Sequence, residues 1–187
     1  VFLEDINFSV DGGLYAELIQ NRSFEFFPMA TNNNSPRAHT YSWSTRGEGR
    51  ITLHDTDGMN EKNPHWVRLT AAQPGDGLTN TGYAGIVLEK GETYRVSFYT
   101  RGDYAGTYTV RFVSWGDPVG QTQLTAVPSG EWTKITGYIT ADASVDNARM
   151  DLLLDQAGEI DLDMVSLFPV HTWNNRENGL RVDMVEA

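Results

Sequence analysis

Between residues 43 and 168 the sequence is a succession of short runs in which apolar and polar side chains alternate, each closed by a Gly, Pro, Asn or Asp cluster. Successive side chains of an extended strand point to opposite faces, so each run has one face to bury and one to leave in water. One run sets Tyr94, Val96 and Phe98 against Arg95, Ser97, Tyr99 and Arg101. The next, 107–115, sets Tyr108, Val110 and Phe112 against Thr109, Arg111, Val113 and Trp115. Further strands are expected at 66–71, 132–140, 149–155 and 159–167, with Met150, Leu152 and Leu154 inward in one and Ile160 and Leu162 inward in another. The stretch GYAGIVLEKGETYRVSFYTRG reads as a hairpin, with Ile86 and Leu88 leading through a turn at 89–91 into the run from Tyr94. No helical period of any length interrupts this region, so its core must lie between sheets. The expected fold class is all-β, a β-sandwich of jelly-roll, galactose-binding-like type.

Charge and composition narrow the partners. With 25 acidic against 14 basic residues the formal charge is −11, and such a field repels phosphate backbones and anionic lipid. Neither nucleic acid nor a membrane is an expected partner. Cysteine is absent, which excludes disulfides, thiol nucleophiles and thiolate metal sites but leaves the compartment open; a secreted or periplasmic parent is the expectation. His39, His54, His65 and His171 lack the i, i+4 spacing and acidic companions of a zinc hydrolase. No Gly-x-Ser-x-Gly elbow or phosphate-cradling glycine loop is present either.

The ends read differently from the middle. Residues 1–6 open directly on a strand-like apolar run, and 178–187 place Leu180, Met184 and Ala187 on one helical stripe behind Asn178 as a cap candidate. A strand in front and a helix behind suggest a β-to-α connection of another domain into which the sandwich is inserted; ragged fragment ends are the alternative.

Two terminal segments carry a family resemblance. FLEDINFSVDGGLYAELIQNRSFEF resembles the start of glycoside hydrolase family 51 α-L-arabinofuranosidases of the plant-like and Bacteroides-like branch, and DLDMVSLFPVHTWNNRENGLRVDMVEA resembles the stretch leading into that branch's first barrel helix. The resemblance implies a division into residues 1–22, the first strand and following loop of a β/α barrel, 23–170, the sandwich, and 171–187, the start of the first barrel helix. Loops after barrel strands open on the carboxyl face where active sites lie, which would hold the sandwich beside a catalytic pocket. The middle resembles carbohydrate-binding modules of families 4, 9 and 22, which open on Asn-Gly-x-Phe-Glu and close on Asp-Asp-Val-Ser-Leu. The counterparts are Asn21-Arg22-Ser23-Phe24-Glu25 and Asp163-Met164-Val165-Ser166-Leu167, with Arg22 and Met164 as departures.

Retaining glycosidases need two carboxyl groups about 5 Å apart. The family's catalytic glutamates come from later barrel strands, so no catalytic residue is expected in this stretch. The resemblance makes Glu4 a carboxylate contacting arabinose hydroxyls, and makes Glu25 and Asp163 ligands of a structural calcium ion. Asp55-Thr56-Asp57-Gly58 is a weaker calcium-loop fragment, more simply a turn. Sugar binding requires an apolar platform bordered by polar groups. Alternation puts Tyr99, Arg101, Arg111 and Trp115, with Trp66 and Arg68, opposite the apolar sets, and a groove carrying several of them is the expected glycan site. The implied partners are a plant polysaccharide such as arabinoxylan or arabinan and the remainder of the catalytic barrel. A purely structural or assembly sandwich that binds no glycan is the competing reading.

Overall fold

The structure is a computed structural model that describes residues 13–25 and 39–186. Eleven strands are present among these residues: β1 (Trp43–Arg46), β2 (Arg50–His54), β3 (Trp66–Ala71), β4 (Gly77–Asn80), β5 (Ile86–Leu88), β6 (Thr93–Gly102), β7 (Thr107–Ser114), β8 (Asp117–Thr125), β9 (Ser129–Thr140), β10 (Val145–Leu154) and β11 (Gly158–Pro169). They form two antiparallel sheets. One has the order β1-β4-β10-β7-β8 with β5 also pairing β10, and the other the order β2-β3-β11-β6-β9. Only the β2–β3, β4–β5 and β7–β8 connections stay within a sheet; the others cross between layers, as in a jelly roll.

The alternation works as expected in both layers. Val67, Leu69, Val96, Phe98, Ile135, Leu162 and Leu167 from one sheet meet Leu78, Tyr108, Val110, Phe112, Met150, Leu152 and Leu154 from the other in a single buried core. Edge-to-face pairs join the layers, Tyr94 with Phe112 at 5.4 Å and Phe98 with Tyr108 at 5.3 Å.

Two expectations about local structure are corrected. The 86–101 stretch is not a hairpin: β5 pairs with β10 in one sheet, whereas β6 pairs with β9 and β11 in the other. Both runs bury their apolar face, and an arch that lays Leu88 and Tyr94 on opposite walls of one core buries both without pairing them. The C-terminal helix is a single turn, α1 (Val182–Val185), preceded by Arg181 rather than capped by Asn178. Leu180 instead forms an antiparallel bridge with Tyr15.

In β11 the inward positions step from Leu162 to Val165, a spacing of three, and the ladder to β6 shifts between Asp163 and Ser166. Met164 takes φ 51 at this bulge. The segment 14–25 lies against it: Leu167 O accepts from Leu18 N at 2.9 Å, and Arg22 O accepts from Val165 N at 2.9 Å. Ala16, Ile19 and Phe24 are buried, so this segment shares the sandwich interior from both sides of the expected division at 22/23. The buried Glu17 pins it in place, accepting from the backbone of Ile19 and Leu167 and from Ser166 Oγ, with Arg22 at 3.6 Å. Burial raises the pKa of its carboxyl above the ordinary value despite these donors.

Candidate functional site

The two sheets each present an outward face, and the expected sugar-contacting residues divide between them. Trp66, Arg68, Tyr99 and Arg101 lie together on the outer face of the five-stranded sheet. Arg111 lies on the outer face of the six-stranded sheet, and Trp115 stands on the turn that joins β7 to β8. The two groups face away from each other across the core, so they cannot line one groove. Glu4 and the strand expected at residues 1–6 lie outside the described residues.

The five-stranded face is aromatic but occupied by its own side chains. Trp66 is only 4% exposed. His54 stacks on its ring at 4.1 Å, and the Arg101 guanidinium lies 5.1 Å from it and 4.7 Å from the Trp132 ring. Asp161 holds both arginines, accepting from Arg68 Nε at 2.7 Å and Arg101 Nε at 3.1 Å, while Asp57 binds Arg101 Nη1 at 2.9 Å. Trp66 Nε1 donates to Thr56 O, which lays the 55–58 turn over this end of the face. At the other end Arg95 pairs with Glu177 and Asn178 of the C-terminal segment, and Lys134 lies over the Tyr99 ring. A cleft of about 490 Å³ opens beside Arg68, Arg101 and Asp161, but its aromatic member, Tyr104, is buried. Trp66, Tyr99 and Trp132 are each met by a neighbouring side chain, whereas Tyr138 on β9, paired in register with Arg95, is 59% exposed.

The six-stranded face carries polar side chains together with the buried Val113 and Leu153. Its central row runs Ser44, Thr79, Asp151, Arg111, Gln121 across β1, β4, β10, β7 and β8. Asp151 is fully buried, and its carboxylate accepts from Arg111 Nε at 3.1 Å and Nη2 at 3.0 Å and from Arg149 Nε at 3.2 Å, with Arg46 Nε at 3.5 Å. A charge removed from water must be paired, and three arginines meet that need while remaining partly exposed. Gln121 and Gln123 are exposed beside them. Trp115, 91% exposed at φ 51, stands four residues from Arg111, about 13 Å along an extended chain. An exposed indole and a fan of hydrogen-bonding side chains are the two elements that grip a pyranose or furanose ring. Of this set alternation had singled out Arg111 and Trp115. Arg149 and Asp151 were legible as the outward positions of β10, but nothing in the sequence joined them to Arg46.

The Glu25 charge acts on the Asp163 carboxyl. Glu25 accepts from His65 N at 2.8 Å and from His65 Nδ1 at 2.5 Å, and the His39 ring stacks on His65 at 4.2 Å. Asp163 Oδ1 accepts from Met164 N at 2.6 Å, whereas the buried Oδ2 has no hydrogen-bond partner among the described residues. Burial first, and the nearby Glu25 charge second among the raising influences, push the Asp163 carboxyl up to about 7. Among the described residues no three His, Cys, Asp or Glu side chains gather as a metal cage. Two carboxylates, one with an orphaned buried oxygen, suit a hard oxygen-seeking cation completed by carbonyls or water.

Residues 16–158 match the model of the carbohydrate binding domain family CBM 4/9, and the chain belongs to that family: it is a carbohydrate-binding module. Its relatives include an extracellular exo-alpha-L-arabinofuranosidase of Streptomyces chartreusis, 39% identical over 187 residues, and alpha-L-arabinofuranosidase 1 of Arabidopsis thaliana, 30% identical over 199 residues. These alignments cover 100% of this chain but only 22% and 28% of the two relatives. Solved structures of similar fold include the CBM22-1 and GH10 modules of a Clostridium thermocellum xylanase with xylohexaose, at TM-score 0.55 and 18% identity over 84% of this chain and 29% of that one. A CBM4 structure covers 81% of this chain and 99% of its own at TM-score 0.53 and 19% identity.

Proposed function

We propose that this module binds an arabinose-containing plant polysaccharide, such as arabinoxylan or arabinan, through the outer face of its six-stranded sheet. The observation that carries the choice of face is the contrast between Trp115, almost wholly exposed on the turn that follows the strand carrying Arg111, and Trp66, whose ring is met by His54 and Arg101. In this reading the parent is an α-L-arabinofuranosidase of the glycoside hydrolase family 51 type. The module sits in a loop of its catalytic barrel, residues 1–22 and 171–187 form the connections, and Glu4 belongs to the barrel's pocket. The adjacent running of Leu14–Ala16 beside Gly179–Arg181 supports the insertion, since Ala16 N donates to Gly179 O and Arg181 N to Leu14 O, bringing both connections to one place. Glu25 and Asp163 hold calcium in the same reading, and the ion supplies the charge that the orphaned Asp163 oxygen faces.

Affinity electrophoresis and calorimetry on arabinoxylan, arabinan and xylo-oligosaccharides test the proposal. Binding to at least one, weakened by about 1 to 3 kcal/mol in Trp115→Ala with no change in melting temperature, is expected if the indole stacks on a ring. Absence of binding to all of them would favour the structural reading of the sandwich.

A further inference from the structure

The six-stranded face gathers three guanidinium groups that keep unused donors. Arg46, Arg111 and Arg149 converge on one carboxylate, that of Asp151. The neighbouring register positions on this face, Ser44, Thr79, Thr109, Val113, Leu153, Gln121 and Gln123, are all uncharged. Asp76, at the foot of β4, is turned away into the backbone N–H groups of Glu48, Ala72 and Gln73. Three guanidinium groups therefore share a single bonded carboxylate, in a protein whose formal charge is −11.

The donors are also directed. Each arginine turns its Nε toward Asp151. Both Nη groups of Arg46 and Arg149, and Nη1 of Arg111, have no hydrogen-bond partner among the described residues. Beside Asp151 in the register, Thr79 is 6% exposed and its Oγ1 is buried without a partner. Unused guanidinium N–H groups held by a common anchor form a preorganised fork for a planar carboxylate, which Arg binds through two parallel hydrogen bonds.

Resting on the assignment of this face as the glycan site, we propose that Arg46, Arg111 and Arg149 select a saccharide bearing a uronic acid carboxylate, with Trp115 stacking on a sugar further along the chain. Asp151 is then a positioning residue: it fixes the three guanidinium groups and contacts no ligand itself.

The test is calorimetry with a glucuronic-acid-substituted xylo-oligosaccharide and the same oligosaccharide after carboxyl reduction, on the wild-type module and on Arg149→Gln and Trp115→Ala. The acidic ligand is expected to bind about tenfold more tightly at low salt, the gap to narrow as sodium chloride is added, and the gap between the two ligands to be lost in Arg149→Gln. Equal affinity for the two ligands, both weakened by Trp115→Ala, would overturn the selection for a carboxylate and keep the face. If neither substitution alters binding of either ligand, the face itself is misassigned and both readings fall. Sodium sulfate as competitor separates the sugar from its charge: displacement by sulfate at equal ionic strength to an inert chloride control, with no gain from the sugar ring, would reduce the cluster to a general anion site and overturn the proposal. Thermal melts of both variants within a few degrees of wild type establish that the comparison is made on folded protein.

Discussion

Replacing Asp163 by asparagine should make the calcium-free module more stable at neutral pH and erase a pH dependence that the native chain carries. The Asp163 carboxyl is buried, one of its oxygens has no hydrogen-bond partner among the described residues, and burial pushes it up to about 7 from an ordinary 3.8. At about 1.36 kcal/mol for each pH unit between the two values, ionising it costs the folded state up to about 4 kcal/mol. The direction follows from which state holds the proton. From pH 3.8 to about 7 the folded protein keeps a proton that the unfolded chain has lost, so stability is highest at the acid end, falls as pH rises, and levels off above the folded pKa. Asparagine keeps an oxygen for Met164 N–H and carries no charge. In the presence of a chelator at pH 8, Asp163→Asn should gain about 2 to 4 kcal/mol, or roughly 5 to 15 °C in melting temperature for a domain of this size. Urea unfolding at pH 5 and pH 8 reads the effect directly. Added calcium should stabilise the native chain most at pH 8 and leave the variant nearly unaffected, because the ion replaces the proton as the counter-charge. Parallel pH dependences for the two proteins would refute the argument, and an equal calcium response would remove Asp163 from the ion's ligands.

Other perturbations separate scaffold from site. Arg101→Met removes a guanidinium lying over the Trp66 and Trp132 rings and bonded to Asp161; it should cost about 1 to 3 kcal/mol by chemical denaturation and leave glycan affinity unchanged. A matching loss of affinity would return the five-stranded face to contention. Glu17→Ala orphans the Leu167 and Ile19 backbone N–H groups and should destabilise by about 2 to 4 kcal/mol in the same assay, with hydrogen exchange accelerating in residues 14–25. Unchanged exchange there would mean that Glu17 does not anchor the segment.

The strands were legible wherever one face is buried and the other wet, as in β3, β6, β7, β10 and β11. β4 was not, because Gly77, Leu78, Thr79 and Asn80 are buried on both sides and show no alternation. β8 was hidden by its Pro118 and Gly120 and by an outer row of Gln121, Gln123 and Thr125 that reads as loop. The partition of the site failed for a topological reason. Alternation says whether a side chain points in or out but not out of which sheet, and β6 and β7, consecutive in sequence, belong to opposite layers. Arg101 and Arg111 therefore share a pattern without sharing a surface. The spacing of three between Leu162 and Val165 was a readable sign of the bulge that follows Asp163.

Nuclear magnetic resonance mapping of a bound arabinoxylan oligosaccharide tests most directly which surface meets the glycan. Saturable shifts of the Trp115 indole N–H and of the Arg111, Arg149 and Gln121 amides, with the Trp66 and Trp132 indoles unmoved, are the predicted result. Shifts confined to Trp66, Arg101 and Trp132 would contradict the assignment.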